Sequence, residues 1–317
     1  MRLFEHANYP FLQWRRRAYI LSAVLILGGV AMMVRNAVQY GSWLNYGIDF
    51  TGGTTVVVRF DRPVAVEQIR AVAPDWEISH FGSDREVLIR FGGFQQALGQ
   101  DAAARVTEAL RRRFPAGSFD IERVEAVGPK VGQELQRKAL IALVMANLLT
   151  LVYLAIRFEW RFGVAAVAAT VHDILITLGI LATLRTTIST ETVAAFLTIV
   201  GYSLNDTIVI FDRIRENLRQ PGAGRHLAET LNRSVNETLS RTALTGGSAL
   251  ATLLSLMIFG GPVIREFAVV LTLGIVVGTF SSIFVATPIL YEIEQRWPSP
   301  QLQGARVPAA RTAGARR

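Results

Sequence analysis

Thr192-Val193-Ala194-Ala195-Phe196-Leu197-Thr198-Ile199-Val200-Gly201-Tyr202-Ser203-Leu204-Asn205-Asp206-Thr207-Ile208-Val209-Ile210-Phe211 is a run of twenty residues with a single formal charge, Asp206. A helix of about twenty residues rises about 30 Å, the thickness of a bilayer's hydrocarbon core. A soluble amphipathic helix would place polar residues every third or fourth position throughout. Here the more polar ones gather at Tyr202, Ser203, Asn205 and Asp206, and threonine is the only other polar type in the run. Five more stretches read the same way. Ala18–Val34, Ala139–Ile156, Thr242–Phe259 and Phe267–Leu290 carry no charge, and Gly163–Leu184 carries only Asp173. Six such stretches predict an integral membrane protein.

The composition agrees. Of 317 residues 51% are apolar and only 18% charged, and the mean hydropathy is +0.33. A disordered chain needs the opposite balance. The absence of cysteine excludes a disulfide framework, a thiolate metal site and a Cys nucleophile. The net charge is +8, which raises nucleic acid or a membrane surface as partner. The distribution of the basic residues decides between them. Arg2, Arg15, Arg16 and Arg17 precede the first span, and Arg157 and Arg161 follow the second. Arg213, Arg215, Arg219, Arg225, Arg233 and Arg241 follow the fourth, and Arg296, Arg306, Arg311, Arg316 and Arg317 end the chain. The opposite short connections hold only Arg185 and Arg265. The positive-inside rule then puts both ends in the cytoplasm, and no nucleic-acid role remains. The first apolar stretch is read as an uncleaved span, because no small-x-small site follows it at residues 36–40.

The expected organisation is an interfacial segment at 1–17, helix one at 18–38 and an outer domain at 39–134. Helices two to four follow at 135–156, 163–184 and 192–211. A cytoplasmic loop occupies 212–241, helices five and six occupy 242–260 and 264–291, and a disordered tail runs from 296 to 317. Phe4, Tyr9, Phe11 and Trp14 beside three arginines predict that the first segment lies in the membrane interface. Gly274-x-x-x-Gly278, with Ser281 and Ser282, predicts close helix packing in the last span.

Residues 35–138 carry mixed charges on a soluble pattern. Strands are predicted at Thr54–Phe60, Glu77–Phe81, Glu86–Phe91 and Phe119–Val127, and helices at Val64–Ala73 and Asp101–Phe114. The order β-α-β-β-α-β is the ferredoxin-like signature. Before the first strand stands Gly47-Ile48-Asp49-Phe50-Thr51-Gly52-Gly53-Thr54. A glycine-rich turn can cradle phosphate at a helix start, but no G-x-x-x-x-G-K-[ST] occurs. Gly47, Asp49, Gly52 and Gly53 are therefore read as a tight structural connection at the base of the outer domain.

An ionisable residue inside a span costs about 2.5–3.5 kcal/mol on insertion scales and marks a functional candidate. Asp173 lies mid-span beside His172. Asp206 follows Asn205, with Tyr202 and Ser203 one turn earlier, and Arg241 stands at the cytoplasmic entry of the fifth span. Taking a carboxyl out of water favours its neutral form, and an approaching guanidinium favours its charged form. A carboxylate whose proton depends on a movable Arg241 can load and unload protons as helices shift. The alternative is a structural latch between helices, and for His172 and Asp173 an internal hydrogen bond. Two membrane aspartates also raise an aspartyl-protease dyad, but the Gly-x-Gly-Asp pattern is missing, so no enzyme is expected.

Several motifs resemble the SecD/SecF family of protein-export membrane subunits. They are Gly47–Thr54, Val127-Gly128-Pro129-Lys130-Val131-Gly132-Gln133-Glu134-Leu135, Arg157-Phe158-Glu159-Trp160-Arg161-Phe162, His172-Asp173, Val200–Arg213 and Ser240-Arg241-Thr242. The last four of these are similar to the SecF type rather than the SecD type, and the resemblance covers about residues 10–295. The resemblance implies a six-helix membrane bundle that is half of a pseudosymmetric twelve-helix transporter of the resistance–nodulation–division superfamily. Its ferredoxin-like domain, residues 39–134, would lie in the periplasm of a bacterium, with the bundle in the inner membrane. It implies SecD, the SecYEG channel, YajC and emerging preproteins as partners, with the proton-motive force as drive. No cofactor or metal is implied. The family's proton-coupling aspartate and arginine fall on Asp206 and Arg241, with Asp173 fitting the pattern and His172, Asn205, Tyr202 and Ser203 as support.

Overall fold

The computed structural model describes residues 4, 7–74, 76–91, 100–220 and 226–298. A 3-10 turn, Phe11–Trp14, leads into helix α1 (Arg15–Tyr40). Strand β1 (Asn45–Tyr46) and a single helical turn α2 (Ile48–Thr51) join it to a sheet domain. That domain comprises β2 (Gly53–Phe60), α3 (Val66–Arg70), β3 (Glu77–Phe81), β4 (Ser83–Phe91), α4 (Gln100–Arg111) and β5 (Phe119–Val127). The bundle continues with α5 (Pro129–Arg157), α6 (Trp160–Leu184), a two-residue strand β6 (Thr187–Ile188), α7 (Thr190–Leu218) and α8 (Leu227–Phe259). It ends with α9 (Pro262–Ser281), a π-helical turn (Ser282–Ala286) and α10 (Thr287–Arg296).

The described residues hold six helices long and apolar enough to cross a membrane, so the chain is a multi-pass membrane protein. Large apolar residues face outward along α1 and α5, among them Leu25, Leu27, Leu140, Leu148 and Ile156. Exposed apolar side chains in such number suit lipid rather than water. Helix α6 instead buries a stripe of small residues, Ala165, Ala166, Ala169 and Gly179. Small residues let backbones approach, and a Cβ built on Gly179 would stand 2.8 Å from Cα of Gly29 on α1. Gly179→Val is expected to force the two helices apart and to lower stability by about 1–3 kcal/mol. Thermal unfolding in detergent measures it; an unchanged midpoint would show that the crossing accommodates the larger side chain.

The sheet has the order β3-β4-β2-β5 with every neighbouring pair antiparallel. Alternate residues of β2, Val56, Val58 and Phe60, bury against Ile69 of α3 and Val106 and Leu110 of α4. The connection between β3 and β4 is tighter than the expected strand bounds, Glu77–Phe81 and Glu86–Phe91, implied. Only Gly82 separates the strands, because Ser83 and Asp84 extend β4.

Three segments differ from the sequence expectation. Residues 212–241 were expected as a loop, yet α7 runs on to Leu218 and α8 begins at Leu227. Leu227, Leu231 and Val235 recur at helical spacing and bury with Ile214 and Leu218 in the bundle's main core. The helix persists because packing rather than lipid covers that stripe. Second, the N-terminal turn, expected only as an interfacial segment, also packs on the bundle. Phe11 and Leu12 are buried, with Phe11 edge-on to Phe284 at 5.6 Å. Asn236 of α8 holds the backbone of Tyr9 from both sides, Tyr9 N–H donating at 2.8 Å and Tyr9 C=O accepting at 3.0 Å. Third, the last span is not one regular helix but contains the π turn at Ser282–Ala286, a feature with no periodicity signature.

Candidate functional site

Asp173 sits at the centre of the bundle with no exposed surface. Its Oδ1 is 3.0 Å from His172 Nδ1. Its Oδ2 accepts from Ser203 Oγ of α7 at 2.6 Å and from Ser281 Oγ of α9 at 2.8 Å. His172 Nε2 lies 2.9 Å from Ser22 Oγ of α1, and the ring stacks on Phe280. An ionised carboxylate only accepts hydrogen bonds, so Nδ1 is the donor toward an ionised Asp173, and the role of Nε2 toward Ser22 follows from the protonation of the ring. One chain of hydrogen bonds thus crosses α1, α6, α7 and α9.

Asp206 is different. It is also buried, but its Oδ2 has no hydrogen-bond partner among the described residues. One turn away on α7, the Tyr202 hydroxyl is equally without one, and so is Thr242 Oγ1 on α8. The Tyr202 hydroxyl approaches Gly246 of α8, 3.9 Å from where its Cβ would stand, with Thr279 of α9 also beside that glycine. Because α7 and α8 run antiparallel, this register sets Thr242, one turn from Gly246, opposite Asp206. Three partnerless polar atoms therefore line the seam between α7 and α8. Buried polar groups are nearly always paired, and a cluster of exceptions marks a place for water or a transferred proton.

Arg241, next to Thr242, is exposed. Among the described residues no ion pair within 4.0 Å joins it to Asp206, although its charge acts on that carboxyl. Asn205, about 100° around α7 from Asp206, is exposed. Ser203 belongs to the Asp173 network. Below Asp206, Thr207 Oγ1 is 2.9 Å from Ser282 Oγ, the first residue of the π turn. Sequence reasoning missed Ser22 as a partner of His172 and gave Ser281 and Ser282 a packing role only. A serine in an apolar run looks the same whether it bonds its own helix or another.

The glycine motif lies at the end of the bundle that carries the sheet domain. Gly47 N–H donates to Ile188 C=O at 2.8 Å, and Asp49 Oδ2 accepts from Thr190 N–H at 2.8 Å and Thr190 Oγ at 3.0 Å. Gly52 has φ +72°, and a Cβ there would stand 2.8 Å from the backbone of Pro129. Gly53 begins β2.

Fold and site together define a six-helix membrane protein with a paired and an unpaired buried carboxylate, carrying a small sheet domain. Comparison with known proteins narrows the class. Residues 106–296 match the family model of the SecD/SecF C-terminal region of protein export membrane proteins, and residues 41–64 match the SecD/SecF GG motif. The chain belongs to the SecD/SecF family. It is 46% identical over 308 residues to the protein translocase subunit SecF of Gemmatimonas aurantiaca, covering 94% of this chain and 91% of that one. It is 39% identical to the SecF of Vibrio alginolyticus, covering 89% of each. The crystal structure of SecDF, a translocon-associated membrane protein from Thermus thermophilus, superposes with a TM-score of 0.79 at 34% identity. That match covers 93% of this chain but only 40% of the SecDF chain. A SecDF crystal structure in a super-membrane-facing form superposes with a TM-score of 0.63. The family and the six spans place the chain in protein export, as a membrane subunit.

Proposed function

We propose that this chain is the SecF-type half of a SecD–SecF pair in the bacterial inner membrane. The pair uses the proton-motive force to help preproteins leave the SecYEG channel, with YajC as an accessory. Asp206 is the proton-carrying group and Arg241 the cation that alternately approaches and leaves it. Asp173 and His172 hold the helices around that site. Both termini are cytoplasmic, and residues 39–134 form a ferredoxin-like domain in the periplasm. The antiparallel order β3-β4-β2-β5 and the β-α-β-β-α-β sequence support that assignment.

The observation that carries the reading is the partnerless Oδ2 of Asp206, with the partnerless Tyr202 hydroxyl one turn away on α7 and the partnerless Thr242 Oγ1 on α8. A structural latch needs partners, and Asp173 has them. A proton carrier needs an open acceptor position, and Asp206 has one. The second half of the machine is supported by the exposed face of α7, where Ala194, Thr198, Gly201 and Asn205 recur at helical spacing without a large apolar residue. Small and amide side chains suit another helix better than lipid.

The test is export into inverted membrane vesicles containing this chain and its SecD partner. The increment of export that depends on this chain is expected to vanish when an ionophore collapses the gradient. Persistence of that increment without a gradient would refute proton drive.

A further inference from the structure

We propose that Asp49 is a positioning residue that ties α7, the helix of Asp206, to the base of the sheet domain, so that the two move together. This rests on the reading of Asp206 as the proton carrier.

The argument begins at the start of α7. A helix leaves its first N–H groups without intrahelical partners, and the positive end of its dipole favours a carboxylate. Ser189 is the N-cap and its side chain accepts from Thr192 N–H. Thr190 N–H is left, and its acceptor comes from 141 residues away: Asp49 Oδ2, at 2.8 Å, which also accepts from Thr190 Oγ at 3.0 Å. The same short segment is fastened around that bond. Asn45 and Tyr46 pair in parallel with Thr187 and Ile188. Gly47 N–H donates to Ile188 C=O at 2.8 Å, and Asn45 Nδ2 donates to Arg185 C=O at 3.0 Å. From the sheet itself, Arg90 of β4 donates to Thr187 Oγ at 3.1 Å.

The other side of the segment is equally constrained. A Cβ on Gly132 of α5 would stand 2.8 Å from the Phe50 carbonyl oxygen, and one on Gly52 the same distance from Pro129. Residue 53 then opens β2, which pairs with both β4 and β5. The segment from Asn45 to Gly52 thus bridges the first strand of the sheet, the foot of α5 and the head of α7. Asp206 lies sixteen residues down α7, about 24 Å along a rigid helix axis. A displacement of the sheet domain reaches it as a displacement of that helix. Asp49 is the charged group of the bridge that grips α7 itself.

The experiment uses the full chain paired with its SecD partner in membranes. The chain has no cysteine, so spin labels at Arg70→Cys in the sheet domain and Arg219→Cys at the far end of α7 report one distance. Both positions are exposed. Asp49→Ala is expected to broaden that distance distribution. It should also lower gradient-driven export roughly tenfold, the equilibrium worth of a hydrogen bond to a charged group. Asp49→Asn keeps an acceptor oxygen and is expected to stay near the parent in both readouts. A cross-link between Asp49→Cys and Thr190→Cys is expected to restore both under oxidation and to lose them on reduction, which separates tethering from misfolding. A narrow distribution in Asp49→Ala overturns the proposal, as does a broadened one with unchanged export. Failure of the export reading itself would appear instead in the parent protein, as export insensitive to the gradient.

Discussion

Asp206→Asn is expected to abolish the gradient-driven part of export while leaving the chain folded and paired. The substitution keeps the shape of the side chain and removes its ability to release a proton. Stability should barely change, because the unpartnered oxygen it replaces makes no hydrogen bond among the described residues. The size of the functional loss follows from the drive. One elementary charge crossing a membrane at 100 mV gains about 2.3 kcal/mol, roughly a fifty-fold bias between two states. Without a titrating group on α7 that bias has nothing to act on, so export should fall to the level seen with ionophore. Reconstituted vesicles with an imposed pH gradient give the measurement. Export that still responds to the gradient in Asp206→Asn would remove Asp206 from the proton path. Arg241 would then lose its role too, since it stands exposed and unpaired to that carboxyl in this conformation.

Asp173→Ala is expected to fail in the opposite way, by losing the fold. It strands His172 Nδ1, Ser203 Oγ and Ser281 Oγ in a dry interior. A buried group left without its partner costs about 1–3 kcal/mol, and three together approach the roughly 5–15 kcal/mol that holds a protein folded. The protein should be lost from membranes or unfold far earlier in detergent. Asp173→Asn should be much milder. Its carbonyl oxygen still accepts from the two serines. Its NH2 can face Nδ1 once the imidazole changes tautomer, and Nε2–H then donates to Ser22 Oγ. Thermal unfolding of both variants beside Asp206→Asn tells the two aspartates apart. Equal stability of Asp173→Ala and Asp206→Asn would mean that the hydrogen-bonded network does not hold the bundle.

Much of the architecture was legible in the chain. Hydrocarbon demands a long apolar run from every spanning helix, so six spans stand out, and so do Asp173 and Asp206 as the charges within them. The β-branched run Thr54–Phe60 marked β2 as a strand, and its Val56, Val58 and Phe60 bury in the core of the sheet domain. The extension of α7 and α8 through residues 212–241 was not legible. Its apolar stripe is short, and its charges read as loop until Leu227, Leu231 and Val235 are seen to bury. The π turn left no pattern at all.

The roles of the two aspartates show the division most clearly. Sequence alone determined that both lie within apolar runs long enough to span a membrane, where a charge is costly. Only the tertiary structure decided which of them is satisfied. The partners of the His172–Asp173 pair come from 150, 30 and 108 residues away, and the bond from Asp49 to Thr190 spans 141. Such bonds form where helices cross, and nothing in the local chain encodes which hydroxyl meets which carboxylate.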